Sequence, residues 1–353
     1  MGLLETSAVL FEKPGQLRLD RVGLSLPGES DVVVEVSASG ISTGTEKLLW
    51  NGRMPHFPGM GYPLIPGYES VGEVVEAGRL SGRCSGDAVF VPGARCYPQV
   101  RSLFGGAARR LVVPGTRAIR IDADLGEQAT LLALAATAHH ALHLPHVALP
   151  ELIIGHGVLG RLIARLTLLL GGAVPTVWER DPQRMPLAHG AKALALATGA
   201  GSRSKQAAPT DAQALRCSFA HATAAVDYPV LHPEDDPRRD YRTVLDASGD
   251  ASQLDQLIAR LAPGGQLILA GFYADLLHFS FAPAFMREAS IRIAAEWKEA
   301  DLLAVRRLVE TGRMSLEGLL THRTAAGDAR QAYETAFGDR GCLKMVMDWS
   351  ACP

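Results

Sequence analysis

The chain of 353 residues holds no C-x-x-C pair, no basic block, no internal repeat and no unbroken apolar run of bilayer length. Each absence excludes something. The five cysteines, Cys84, Cys96, Cys217, Cys342 and Cys352, are scattered, so they read as reduced thiols of a cytoplasmic protein and not as a disulfide frame. A formal net charge of −2 without a basic cluster leaves no electrostatic footprint for nucleic acid. The longest apolar stretch, Leu152 to Val177, is interrupted by His156, Arg161, Arg165 and several glycines, which argues against a membrane span. The start lacks the basic-then-apolar order of a signal peptide. It does fit the short myristoylation pattern, Met1-Gly2-Leu3-Leu4-Glu5-Thr6, but that pattern is too permissive to imply lipidation. The expectation is a soluble, cytoplasmic protein.

What is present centres on one Gly-rich turn. With 47% hydrophobic residues the chain buries a large core, and its length favours two domains. The apolar run Leu152-Ile153-Ile154 stops at Gly155, and Gly155-His156-Gly157-Val158-Leu159-Gly160 opens an apolar helix expected over Val158 to Leu170. In a dinucleotide site Gly155 makes the tight turn, Gly157 lets the backbone approach a pyrophosphate, and Gly160 lets the helix pack close to the strand. Val158 and Leu159 stand at the helix N-terminus, where free N–H groups and partial positive charge suit phosphates. A second run, Val174 to Trp178, ends in Glu179, at the spacing of roughly 20 residues where an acid meets the ribose hydroxyls. An acid there repels a 2′-phosphate, which favours NAD over NADP, while the adjacent Arg180 pulls the other way. Gly271, closing the expected strand Gln266 to Gly271, joins these as a cofactor-binding candidate.

Residues 1 to about 120 alternate as β-strands, in Ala8 to Phe11, Asp31 to Val36, Val71 to Glu76, Ala88 to Pro92 and Arg110 to Pro114. Trp50 to Tyr68 is dense in Pro, Gly, Met and aromatics. It is either a core-covering loop or the wall of a pocket for a large flat ligand. Helical periodicity then gives a buried helix over Gln128 to Leu142. Beyond the Gly-rich turn, strands (Tyr241 to Ala247, Gln266 to Gly271, Ile291 to Trp297) alternate with helices (Ser252 to Leu261, Asp301 to Thr311). That alternation predicts an α/β fold with a doubly wound parallel sheet, preceded by a β-rich lobe. The tract Ala195 to Ala225, poor in large apolar residues, reads as an irregular insertion. The tail, Leu316 to Trp349, is short and mixed and ends in a strand, Leu343 to Asp348.

A β-rich lobe feeding a dinucleotide sheet resembles the medium-chain dehydrogenase/reductase superfamily over nearly the whole chain. The residues that carry the likeness are Gly40-Ile41-Ser42-Thr43-Gly44-Thr45-Glu46, Pro66-Gly67-Tyr68-Glu69-Ser70-Val71-Gly72, and Gly155 to Gly160. The resemblance implies a GroES-like catalytic lobe, 1–124 and 313–353, and a Rossmann NAD-binding domain, 125–312, with 195–225 as the insertion. Zinc members place a cysteine ligand after the Gly-Ile pair and a Gly-His-Glu in the second turn. Here Ser42 and Tyr68 stand at those positions, Glu69 is kept, and nothing between Cys84 and Arg110 supplies the four close cysteines of a structural zinc site. Zinc wants thiolate, imidazole and carboxylate together, so no catalytic zinc and no metal site are expected.

More narrowly, four strings are similar to one family within it, the 3-hydroxyethyl bacteriochlorophyllide a dehydrogenases. They are Gly40 to Trp50, Phe57-Pro-Gly-Met-Gly-Tyr-Pro63, Asp246-Ala-Ser-Gly-Asp250 and Phe285-Met-Arg-Glu-Ala289. The resemblance implies NAD-linked oxidation of a 3-(1-hydroxyethyl) side chain to 3-acetyl on a Mg-tetrapyrrole, in bacteriochlorophyll biosynthesis. By analogy it also implies a homo-oligomer and leaves open a peripheral contact with the photosynthetic membrane. The candidate acid/base residues are Thr43, Glu46 and Lys47 on the first loop and Tyr68 and Glu69 on the second. A lysine beside Tyr68 would lower its phenol pKa towards neutrality.

Plainer roles stand beside these. Glu69 suits a buried structural carboxylate, Glu46 and Lys47 a mutual ion pair, and His139 and His140 satisfied core or capping histidines. Arg180 and Asp181 suit solvated positions, and Phe272, Tyr273, Phe279, Phe281 and Phe285 a core or interface cluster. Two other functions remain open. One is a non-catalytic tetrapyrrole carrier on an NAD(P)H-binding fold; the other is a quinone-reductase-like enzyme, against whose NADPH preference Glu179 argues.

Overall fold

The computed structural model describes residues 4–56, 58–185 and 227–352. Phe57, the residues Met1 to Leu3 and the tract Ala195 to Ala225 lie outside the described residues.

The long strand Asp31–Ile41 organises the first lobe. Its run of valines is buried on both faces, with Val32, Val34 and Val36 all at 0% exposure, because it is paired along its length. Ser70–Ala77, Arg110–Pro114 and Met345–Asp348 all run antiparallel to it. The last of these strands comes from the C-terminus, so the tail closes the sheet that the N-terminal residues begin. A smaller sheet orders Gln16–Gly23, Glu5–Lys13, Leu64–Ile65 and Arg101–Ser102 beside it.

The second lobe is a six-stranded parallel sheet. In space its strands run Val230–Leu231, Thr176–Trp178, Leu152–Ile154, Tyr241–Asp246, Leu261–Leu269 and Ser290–Ile293. The chain order reverses between Leu152–Ile154 and Tyr241–Asp246, and the loops leaving the carboxyl ends of those two strands diverge there and open a crevice. Helices Leu132–Leu142, Val158–Leu169 and Glu299–Glu310 pack together on one face through small residues, among them Ala135, Ala138 and Ala164. No helix among the described residues is long and apolar enough to cross a membrane.

Several elements differ from expectation. The helix expected from Gln128 begins at Leu132, after a 3₁₀ stretch broken at Gly126, where φ is 48°. The strand expected to reach Trp297 stops at Ile293, and the chain turns sharply at Glu296, a non-glycine residue with φ of 48°. The tail contains an unanticipated helix, Ala329–Gly338. The aromatic run divides: Tyr273 packs against the core, whereas Phe281 is 73% and Phe285 64% exposed, on a short helix, Phe281–Met286, with no buried residue.

Candidate active site

A cleft of about 1240 Å³ lies between the lobes and is walled by both. On the parallel-sheet side the three glycines meet different constraints. Gly155 has φ of +93°, which any side chain would resist. A Cβ on Gly160 would stand 1.8 Å from the Gly155 carbonyl oxygen, so the helix packs against the turn only without one. A Cβ on Gly157 would meet nothing within 4 Å and would project into open space. Gly155, Gly157, Val158, Leu159, Gly160, Glu179 and Gly271 all line the cleft. Gly271 has no room for a side chain either, since a Cβ would lie 2.5 Å from the Gly249 nitrogen.

The Glu179 carboxylate is held by three backbone N–H groups, from His156 (3.1 Å), Arg180 (2.8 Å) and Asp181 (2.9 Å). The Arg180 side chain turns away to Asp250 at 3.3 Å and does not line the cleft. Asp181 caps the following 3₁₀ turn by accepting from the Gln183 N–H. His156, in the gap of the Gly-x-Gly turn, is fully buried between the Arg184 carbonyl (2.8 Å) and the Tyr228 hydroxyl (3.1 Å). Burial and neighbouring arginines push its pKa down to about 4, so it is a neutral tie between turn and flanking chain. A histidine at a position usually left to small or apolar residues was the available signal.

On the β-lobe side, the two loops at the expected metal position meet through hydroxyls. Tyr68 donates to Ser42 Oγ at 2.6 Å, leaving the serine proton free to donate. Glu69, fully buried, receives the Lys344 ammonium on both carboxylate oxygens at 2.8 and 2.7 Å. Gly40 makes this possible, because a Cβ there would lie 2.2 Å from Glu69 Oε2. Zinc finds neither thiolate nor imidazole here, and the one carboxylate is already neutralised by a lysine, so the donor set does not fit it. No cluster of three metal-ligating side chains occurs among the described residues.

Two expectations about this wall are corrected. Lys47 does not sit against Tyr68 or pair with Glu46: its ammonium donates to the Phe337 carbonyl at 2.9 Å. Burial and the carboxylates of Glu69 and Glu46 therefore raise the Tyr68 phenol above its ordinary range. Glu46 does not reach the cleft, and accepts instead from the Ser42 N–H (3.1 Å) and the Tyr333 hydroxyl (2.8 Å). The histidines of the Ala/Leu helix are satisfied away from the cleft, as expected of core residues: His139 and His140 share the Asp301 carboxylate at 2.7 and 2.9 Å. Ser42, Thr43, Lys47, Tyr68 and Lys344 line the cleft, whereas Glu46 and Glu69 stand behind them. Lys344 and Tyr333 were missed from sequence.

Burial and the Glu69 charge push the Glu46 carboxyl up from 4.5 to about 7. Between those values the folded state keeps a proton that the unfolded chain has lost, so this group's contribution to stability falls as pH rises from 4.5 towards 7. The loss amounts to about 3 kcal/mol. Urea midpoints at pH 5 and pH 8 should therefore differ less in Glu46→Gln than in the parent; equal pH slopes would contradict it.

The alcohol dehydrogenase GroES-like domain model matches residues 28–123. A 2-desacetyl-2-hydroxyethyl bacteriochlorophyllide A dehydrogenase of Rhodobacter capsulatus is 50% identical over 347 residues, covering 98% of this chain and 99% of the relative. Its counterpart in Cereibacter sphaeroides is 48% identical, covering 99% of both chains. Among solved structures, an E. coli CFT073 alcohol dehydrogenase (rspB) complexed with NADH superposes at TM-score 0.73 with 19% identity, covering 99% of this chain and all of that one. A Sinorhizobium meliloti dehydrogenase bound to NADP does so at TM-score 0.73 and 19% identity, covering 98% and 100%. These two likenesses establish the fold.

Proposed function

The chain belongs to the family of 2-desacetyl-2-hydroxyethyl bacteriochlorophyllide A dehydrogenases, and on that premise we propose that it oxidises the pigment's 3-(1-hydroxyethyl) group to 3-acetyl with NAD and without a catalytic metal. The observation that carries the metal-free reading is the wall itself, where a hydroxyl pair and a Glu69–Lys344 ion pair occupy the donor positions.

The crevice at the strand switch point, with Gly157 open to it and free N–H groups at the start of Val158–Leu169, fits a dinucleotide's pyrophosphate. Bound there, the nicotinamide ring supplies the hydride acceptor. Glu179 faces the ribose position and disfavours a 2′-phosphate, while Arg180 is engaged elsewhere. Glu179→Ala should lower the NAD-over-NADP ratio of kcat/KM about 10- to 100-fold, the effect of removing one charged contact. An unchanged ratio would remove Glu179 from cofactor choice.

As hydride leaves the carbinol carbon, the conjugated macrocycle spreads the developing positive charge, and the hydroxyl proton becomes acidic enough for water to accept. The protein then needs to orient the oxygen more than to deprotonate it. Ser42 donates to that oxygen, and Tyr68, a neutral phenol at ordinary pH, fixes the serine. On this account Tyr68→Phe slows turnover only about tenfold, the worth of one hydrogen bond, and leaves the pH profile between 6 and 9 unchanged. A loss in the general-base range of about 10³-fold, or a shifted pH profile, would instead make Tyr68 the base. The carrier and quinone-reductase readings receive no such support.

A further inference from the structure

The substrate named for this family is an -ide pigment, which carries a free propionate carboxylate on a different ring from the carbinol. Resting on the dehydrogenase reading above, we infer that Arg117 recognises that carboxylate and so makes the enzyme selective for the free acid over its ester.

Arg117 lies in the cleft wall just after the strand Arg110–Pro114. Its Nε donates to the Gly93 carbonyl at 2.8 Å and its Nη2 to the Pro92 carbonyl at 2.5 Å. Those two bonds fix the guanidinium plane, and no carboxylate lies within ion-pair distance of it among the described residues. Arg95 repels it and Glu296 attracts it. A cation held rigidly by neutral acceptors, with a second cation nearby, is a poised anion site, and a guanidinium suits a carboxylate best.

The other cations of the wall are held differently. Lys344 is neutralised by Glu69, and Lys47 is a flexible ammonium on a single carbonyl, that of Phe337, with no fork to match a carboxylate. Arg184 donates to the Arg340 carbonyl, and Arg340 approaches Asp181 at 3.9 Å, beside the Glu179 turn where the cofactor would lie. Arg117 belongs to the β-lobe side. It is bonded to Gly93, a Cβ on Gly93 would stand 2.5 Å from the Phe104 oxygen, and the Phe104 ring meets Tyr68 edge-on at 5.4 Å. A path of contacts thus joins Arg117 to the hydroxyl pair on the cleft wall. Glu296, an exposed acid of the same cleft wall, attracts this cation and opposes an incoming carboxylate, so the preference rests on the fixed fork of the guanidinium.

The test compares 3-hydroxyethyl bacteriochlorophyllide a with its methyl ester, on the parent, Arg117→Gln and Arg117→Lys, with thermal melting as the check on folding. The parent should prefer the acid about 10- to 100-fold in kcat/KM, through KM. The preference should collapse to about one in Arg117→Gln and survive in part in Arg117→Lys. Equal use of acid and ester by the parent, or a preference that Arg117→Gln retains, would overturn the inference. If neither pigment is turned over by the parent, the dehydrogenase reading fails. Binding titrations of acid and ester, followed by pigment absorption, then decide on Arg117 by the same ratio.

Discussion

Lys344→Met destabilises the protein by about 3–5 kcal/mol, measured by urea unfolding at pH 8. Glu69 and Lys344 are 0% and 1% exposed, and each carboxylate oxygen receives the same ammonium. Removing the lysine leaves a carboxylate that water cannot reach and that a neighbouring carboxylate, Glu46, already opposes. Burial raises the Glu69 pKa and Lys344 holds it down, so without the lysine Glu69 takes up a proton on folding. The penalty therefore grows as pH rises. The companion variant Glu69→Gln/Lys344→Met removes both charges and should recover most of the stability, because a buried pair contributes little beyond cancelling its own desolvation. A double variant as unstable as the single one would show that the lysine acts by packing and not by charge.

The second large effect separates two glycines three residues apart. Gly160→Ala places a methyl 1.8 Å from the Gly155 carbonyl oxygen, which is backbone and cannot rotate away. The helix Val158–Leu169 must lift from the strand Leu152–Ile154, at a cost of about 3 kcal/mol for overpacking, and NADH affinity falls with the distorted turn. Gly157→Ala meets no atom within 4 Å, and its backbone, at φ −75° and ψ −171°, is one that alanine adopts. That variant should fold with the parent's thermal midpoint and lose affinity for NADH about 10-fold or more, since the methyl stands where the proposed pyrophosphate approaches. Equal loss of stability in both variants would sink this division of labour. Unchanged NADH binding in Gly157→Ala would move the dinucleotide off this turn.

What was legible in the sequence was local. The turn Gly155 to Gly160 and the acid at Glu179 declare themselves because strand, turn and helix start are neighbours in the chain. The loss of a zinc donor set was equally visible, since Ser42 and Tyr68 sit in short fixed strings. What came to light only with the fold was closure over distance. Lys344 reaches Glu69 across 275 positions and Tyr333 reaches Glu46 across 287, and no short-range pattern carries such a pairing. A signal did exist in Lys344, a charge inside the apolar run Leu343-Lys344-Met345-Val346-Met347, which a buried strand tolerates only with a partner. The expected Tyr68–Lys47 pair failed for the same reason. Both residues are in the correct loops, but the helix Thr45–Trp50 directs Lys47 towards Phe337 on the tail helix.

On the metal-free reading, a hydroxyl pair and the conjugated substrate together do here what a metal would otherwise do. The most direct measurement is an anaerobic assay of chelator-treated protein, shown metal-free by elemental analysis, with 3-hydroxyethyl bacteriochlorophyllide a, offering NAD and NADP separately and following pigment absorption and reduced cofactor together. The account predicts a pigment shift matched one for one by NADH, undiminished by the chelator and unaffected by added zinc. Activity that is lost with the metal and restored by zinc would contradict it.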